Sequence, residues 1–424
     1  MNKPSLWRAA VPAGAALPFL LSYGAYAFSQ LDLALFSYAL PAIRKDWAVS
    51  LSSIGMALSL AYVLGGFGQV WLGHLTDRKG RRFVLMLGTA LSSLFVAAHA
   101  LATGPLLLGL MRAGAIATGG AIYPASGAMV AEVAPARWRG IYAGVLQTAY
   151  PLGWFLASLL AVPLLGLFGW RGVFVLALLS IPYVLVLRRW LPESQRFTVA
   201  SAGQAARPAL RESLSVMLAP ALRRRTVILF LAQFLFVVAY GGSSFLLPTY
   251  FSEHRGMPLA TAAYIVGIGN AISIIGYLGA SFIGEFVLTR RTTVVAFTQL
   301  GALGFLAMVW LPSGVADTLL LFGLMSIFFY GAAAVKFAFV AELFPTRLRA
   351  TGLAVCGSLA VNLGIACGPL LVAAAVERIG WQMALSLTVG LPLMMAGGLY
   401  LYLRPLASGL ELDVVDAEIH ARGD

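Results

Sequence analysis

The sequence predicts an all-α membrane protein of twelve transmembrane helices in two pseudo-symmetric six-helix bundles. Three observations predict it. First, 60% of the 424 residues are hydrophobic and only 11% are charged. A water-soluble domain carries roughly 25% charged residues, so a soluble fold this apolar could not cover its own surface, and lipid is the expected solvent. Second, the apolar residues fall in runs of about 20, long enough to cross a ~30 Å hydrocarbon core. Third, the chain repeats itself halfway along.

The apolar runs lie near 16–42, 52–76, 83–103, 105–133, 140–164, 171–190, 226–251, 261–286, 292–312, 317–344, 349–375 and 380–402, each read as one spanning helix. They are far longer than barrel strands and do not alternate, which excludes a β-barrel. The first run has no small-residue cleavage site before the next charged loop and reads as a retained helix.

The formal charge of +13 would point to nucleic acid in a soluble protein. Here the basic residues sit in short loops between apolar runs, so they set orientation, and no nucleic-acid partner is expected. Most of the 29 basic residues, among them Arg78, Arg81, Arg82, Arg188, Arg223, Arg290 and Arg347, fall on one side. That side is expected to be cytoplasmic, with both termini inside, in the inner (plasma) membrane. The two cysteines, Cys356 and Cys367, share one apolar run, so neither a disulfide nor a metal site is expected.

The longest polar stretch, 191–224, reads as a cytoplasmic linker. It separates an N-terminal bundle, 1–190, from a C-terminal bundle, 225–403, and a tail at 404–424. The repeat supports this division. Ala131-Glu132-Val133-Ala134-Pro135-Ala136-Arg137-Trp138-Arg139-Gly140 and Ala341-Glu342-Leu343-Phe344-Pro345-Thr346-Arg347-Leu348-Arg349-Ala350 share Ala, Glu, Pro and both Arg at an offset of 210. A fainter echo links Gly68, Asp77 and Arg82 to Gly276, Glu285 and Arg290. Parallel repeats of this kind enclose a substrate site at mid-membrane.

The sharpest motif, Gly73-His74-Leu75-Thr76-Asp77-Arg78-Lys79-Gly80-Arg81-Arg82, lies in the turn between spans two and three. Its glycines permit a tight turn and close helix approach. Asp77 can pair with arginines or a neighbouring helix end, so a gate of charged contacts can form and break. Topology alone needs neither Asp77 nor the glycines. The stretch resembles the signature loop of the major facilitator superfamily, G-x-L-x-D-R-x-G-R-R, at every fixed position. In the second half Glu285 is retained, while Leu288 replaces the glycine. Glu132, Arg137 and Arg139, with Glu342, Arg347 and Arg349, resemble the family's other cytoplasmic charge clusters, which implies latches. Pro192-Glu193-Ser194-Gln195-Arg196-Phe197 resembles the P-E-S-P-R-[WF] motif after span six, with Gln195 in place of the second proline. Alternatively it is a surface stop for the helix.

Ionisable residues inside a span are functional candidates by default. There are three: Asp32 in span one, Arg112 in span four and Lys336 in span ten. Asp32 lies ~15 Å and Arg112 ~10 Å from the same membrane face at 1.5 Å per residue, close enough to predict a pair. An aspartate beside an arginine stays ionised and takes up a proton when the arginine leaves, which makes a proton switch; the alternative is a purely structural pair. Lys336 has no acid at similar depth in its half. It can hold an anionic substrate as a point charge or snorkel to the interface. Gln30, Tyr123, Gln147, Tyr150, Gln233, Tyr240, Asn270, Tyr330 and Asn362 recur inside other spans, either lining a cavity or gluing helices together.

The overall pattern resembles the organic-acid proton symporters of the superfamily, those of aromatic acids, sialate and nicotinate. That resemblance implies uptake of a small organic carboxylate by alternating access, by a monomer with no cofactor and a proton gradient as energy source. Asp32 would carry the proton, Arg112 would modulate it or contact the anion, and Lys336 would contact the anion. These porters often carry two acids spaced D-x-x-D in span one; here Ser29 stands in the first place. A drug exporter is less favoured because span five lacks the G-x-x-x-G-P-x-x-G-G run. A ligand sensor is less favoured because the tail is short. No enzyme signature is present.

Overall fold

Inside a bilayer each backbone polar group must find a partner within its own segment, so long apolar runs become helices. In a computed structural model of the chain the described residues are 14–135, 138–193, 220–344 and 353–403. The helices are α1 Ala16–Trp47, α2 Leu51–Lys79, α3 Arg81–Ala98, α4 Pro105–Gly119, α5 Ile122–Val133, α6 Arg139–Gln147, α7 Ala149–Val175, α8 Ser180–Trp190, α9 Pro220–Ser244, α10 Leu259–Phe286, α11 Arg290–Trp310, α12 Val315–Glu342, α13 Ala360–Ile379, α14 Trp381–Leu385 and α15 Leu391–Tyr400. No strand occurs among the described residues.

Ten helical stretches are long and apolar enough to span a membrane. One of them, Gly140–Trp190, is 51 residues long and turns at Gly169, φ +64°. It therefore holds the two spans expected at 140–164 and 171–190. The 32-residue α1 carries Ser29, Gln30 and Asp32 among its buried residues and adds another, which is consistent with twelve. Large apolar side chains such as Phe67, Trp71, Leu185, Ile275 and Leu320 are mostly exposed. A soluble protein buries such groups, whereas a lipid-facing surface displays them.

Several spans expected to be continuous are interrupted, and at two of them, the fourth and the seventh, a proline lies just beyond the interruption. The fourth gives way at Gly120 and Ala121 between α4 and α5. Pro124 has no N–H and its ring crowds the carbonyl four residues back, that of Gly120. The seventh was expected over 226–251, but α9 ends at Ser244 and the chain turns through Phe245 and Leu246. Pro248 acts there in the same way on Ser244.

By Cα proximity the chain falls into two compact units. The first gathers Met1–Ala205 and Phe245–Ala271, and the second gathers Ala206–Ser244 and Ile272–Asp424. In the first unit α1 packs closely on α7: a Cβ on Gly153 would meet the Ala27 carbonyl oxygen at 2.5 Å and the Gln30 Cβ at 2.7 Å. Leu21, Ala25, Leu85, Ile122, Met129 and Leu187 form a buried apolar cluster beside this contact.

Candidate functional site

Asp32 is 1% exposed. Its carboxylate accepts hydrogen bonds from Ser93 Oγ of α3 at 2.8 Å and Ser180 Oγ of α8 at 3.5 Å. Ser93 Oγ also lies 2.8 Å from the Thr89 carbonyl oxygen. One hydroxyl proton thus faces two acceptors.

Arg112, on α4, is likewise 1% exposed. Its Nη2 donates to the Leu33 carbonyl of α1 at 3.2 Å. The guanidinium carbon lies 4.7 Å from the Phe36 ring centroid and 5.8 Å from that of Phe245. The Tyr62 and Tyr150 phenols flank it. Among the described residues neither Nε nor Nη1 has a well-aligned hydrogen-bond partner, the nearby Tyr62 hydroxyl included. Phe245 also packs on Tyr62, at 5.7 Å between ring centroids, and on Trp154, at 6.0 Å. The guanidinium therefore sits in an aromatic box.

The expected Asp32–Arg112 ion pair is not formed. Arg112 settles over Phe36, one helical turn along α1 from Asp32, and one turn is about 5.4 Å. Arg112 takes a carbonyl and two π faces instead, and Asp32 takes two hydroxyls. Both residues still grip consecutive positions of α1, at Asp32 itself and at the Leu33 carbonyl.

In the second unit Lys336 is 6% exposed, so it does not snorkel. Its Nζ lies 3.3 Å from the Phe236 ring centroid, a cation–π contact. No carboxylate or hydrogen-bond acceptor pairs with it among the described residues. The surrounding rings are coupled: Phe236 meets Phe329 at 5.3 Å, and Tyr240 meets Tyr330 at 5.5 Å. The Tyr330 hydroxyl lies 3.5 Å from Ser244 Oγ.

The remaining polar candidates divide. Tyr150 stacks on Trp154 at 5.8 Å and joins the Arg112 box. Gln30 is buried with its Oε1 unpartnered. Tyr123 pairs with Tyr26 at 5.1 Å. Gln233 accepts from the Tyr400 hydroxyl at 3.1 Å. Asn270 Nδ2 donates to the Val266 carbonyl at 2.8 Å, within its own helix. Gln147 and Asn362 are half-buried.

At the α2–α3 turn, Glu193 Oε1 accepts the backbone N–H groups of Arg81 at 2.9 Å and Arg82 at 3.3 Å. A carboxylate at a helix N-terminus satisfies orphan donors and meets the positive end of the helix dipole. Arg81 also pairs with Glu132 at 3.4 Å. Gly80 makes this possible. It has φ +93° and ψ 164°, a region open to glycine alone, and a Cβ there would strike the Glu193 carboxylate. Gly80→Ala should therefore lower the stability of detergent-solubilised protein by about 1–3 kcal/mol, read as a drop of several degrees in its thermal midpoint. An unchanged midpoint would mean that the turn relaxes freely. Glu285 pairs with Arg290 at 2.5 Å. The side chains of Asp77, Arg78, Arg139 and Glu342, with Gly73, Arg137, Arg347 and Arg349, lie outside the described residues.

Sequence reasoning missed Ser93, Ser180, Phe36, Tyr62 and Phe245, and left Glu193 as one half of an alternative. Serine inside an apolar helix is a weak signal, because it is common packing glue. An aromatic residue in a span is a weaker one.

Buried charges without counter-charges among the described residues, inside long apolar helices, define an integral membrane protein that handles ions or small solutes. The profile of the Major Facilitator Superfamily matches residues 23–335, and the chain belongs to that family. It is accordingly a multi-pass membrane transporter and not an enzyme. Among its relatives are the cis,cis-muconate transport protein of Acinetobacter baylyi and the gallate transporter of Pseudomonas putida. The first is 27% identical over 80% of this chain and 82% of the relative. The second is 29% identical over 77% and 78%. A crystal structure of a bacterial homolog of the human lysosomal transporter Spinster, in its inward-facing and occupied conformation, aligns with a TM-score of 0.67 at 14% identity. The alignment covers 95% of each chain, and at that identity it shows the fold alone.

Proposed function

We propose that this transporter carries a small organic carboxylate into the cell together with a proton, by alternating access. One observation carries the reading. Arg112 is buried, and among the described residues its Nε and Nη1 have no well-aligned acceptor and no carboxylate, with the Tyr62 hydroxyl close by. A buried cation left unpaired is strongly unfavourable, and a carboxylate is the geometric match to a guanidinium. The Tyr62 hydroxyl alongside adds a donor to the same anion. The aromatic side chains around Arg112 suit an unsaturated or cyclic body. Relatives whose names specify muconate and gallate, both small organic acids, support the substrate class.

Proton coupling rests on Asp32. A partner arginine would lock the carboxylate in its ionised form. Serine hydroxyls both donate and accept, so they serve both protonation states. With Asp32 ionised, Ser93 donates to it; with Asp32 protonated, the acid donates to Ser93, whose own proton turns to the Thr89 carbonyl. Lys336 is a second anion contact in this reading. Residues 1–190 and 225–403 are the two six-helix bundles, with both termini cytoplasmic in the inner membrane and the monomer as the working unit. Purified protein in liposomes should accumulate a radiolabelled aromatic or unsaturated carboxylate when the interior is made alkaline. A protonophore should collapse that accumulation. Accumulation indifferent to the pH gradient would refute the coupling, and no uptake of any carboxylate would refute the substrate class.

A further inference from the structure

Trp154 is 1% exposed, and its indole Nε1 has no hydrogen-bond partner among the described residues. An indole N–H can only donate, and buried donors in native proteins are nearly always satisfied. The ring cannot swing out to find an acceptor. Tyr150 stacks on it at 5.8 Å with the planes 23° apart, and the Tyr38 ring lies against it at 6.2 Å. The Tyr38 hydroxyl donates to the Trp154 carbonyl at 3.0 Å, which holds the backbone in place. Gly153, pressed against α1, fixes the height of this part of α7. The donor is held in one position with nothing to receive its proton.

Trp154 and Arg112 both border Phe245. The indole N–H and the open guanidinium nitrogens are thus two unsatisfied donor sets around one ring. The carboxylate proposed above accounts for Arg112 and Tyr62 and leaves Trp154 unexplained. We propose that the Trp154 indole N–H is a second recognition point. It donates to a hydroxyl or carbonyl oxygen that the transported acid carries away from its carboxylate. The ligand class is then an oxygenated unsaturated or aromatic carboxylate. A plain acid of the same shape would leave the indole N–H buried and unpaired, and sites built around a hydrogen bond reject analogues that lack it. The proposal rests on the reading that Arg112 holds the carboxylate.

The test is binding of benzoate and its three monohydroxylated isomers to detergent-purified protein, measured by calorimetry. At least one isomer should bind wild type about tenfold or more tighter than benzoate. Trp154→Phe, which keeps an aromatic ring and deletes the N–H, should bring that ratio within about threefold. Arg112→Gln should weaken all four acids alike. If wild type binds all four equally, or if Trp154→Phe keeps the ratio, the assignment is wrong. The wild-type comparison decides even if the variant fails to fold. If none of the four binds wild type, the carboxylate reading fails and this inference fails with it. If all bind through Arg112 without regard to the hydroxyl, only the Trp154 assignment falls.

Discussion

Asp32→Asn is expected to abolish uphill accumulation of substrate driven by a pH gradient, while exchange of labelled for unlabelled substrate survives. The amide copies the shape and hydrogen bonding of the protonated acid. Asn Nδ2 can donate to Ser93 Oγ or Ser180 Oγ much as the acid hydroxyl would, so the packing of α1 on α3 and α8 is retained. What is lost is the exchangeable proton. A carrier that cannot take up or release it still moves loaded between its two states, and exchange needs nothing more. Accumulation should fall at least about tenfold, to the level set by equilibration. Asp32→Ala would confuse the issue, because it leaves the buried Ser180 hydroxyl without its acceptor, at about 1–3 kcal/mol, and opens a cavity between α1 and α3. Undiminished proton-driven accumulation in the Asn variant would show that Asp32 is a structural acid and that the coupling lies elsewhere.

Arg112→Lys is expected to weaken substrate binding by about 2–3 kcal/mol, a factor of roughly 30–150. The charge is conserved, but a lysine presents a point ammonium where the guanidinium offers a planar fork and a flat face. That face is held between Phe36 and Phe245, and the fork supplies Nη2 to the Leu33 carbonyl while keeping two nitrogens for an anion. Lysine cannot do both at once. Lys336→Met separates the two cations. The thioether can still pack on Phe236, so the loss isolates the charge, and binding should weaken by a smaller factor of about ten. Equilibrium binding to purified variants checks both. If Arg112→Lys binds as wild type does, the open nitrogens are not the anion site. If Lys336→Met binds as wild type does, that lysine does not touch the substrate.

Much of this was legible from residue types alone. Apolar runs of bilayer length specify spanning helices wherever they occur, because the backbone has no other way to satisfy itself in lipid. The motif from Gly73 to Arg82 is read in one stretch of chain, and the duplicated Glu-Pro-Arg-Arg pattern needs only an offset. An ionisable residue within such a run stands out without any structure, since charge in hydrocarbon is rare. That is how Asp32, Arg112 and Lys336 were found. Even the interruptions of the fourth and seventh spans had a cause in view, in Pro124 and Pro248.

Pairing was decided only in three dimensions. Which side chain meets which depends on the rotation of each helix about its own axis, and one residue turns a side chain by roughly 100°. Residue spacing along the apolar runs, which sequence does report, put Asp32 near Arg112. Rotation and one turn of displacement put Asp32 on Ser93 and Ser180, and Arg112 among Phe36, Tyr62 and Phe245. The capping of α3 by Glu193 joins positions more than 100 residues apart, a closeness no local pattern encodes. Sequence determined which ionisable residues fall inside the long apolar runs and where those runs lie; the packed helices determined what each charge faces, because facing is a property of two helices together.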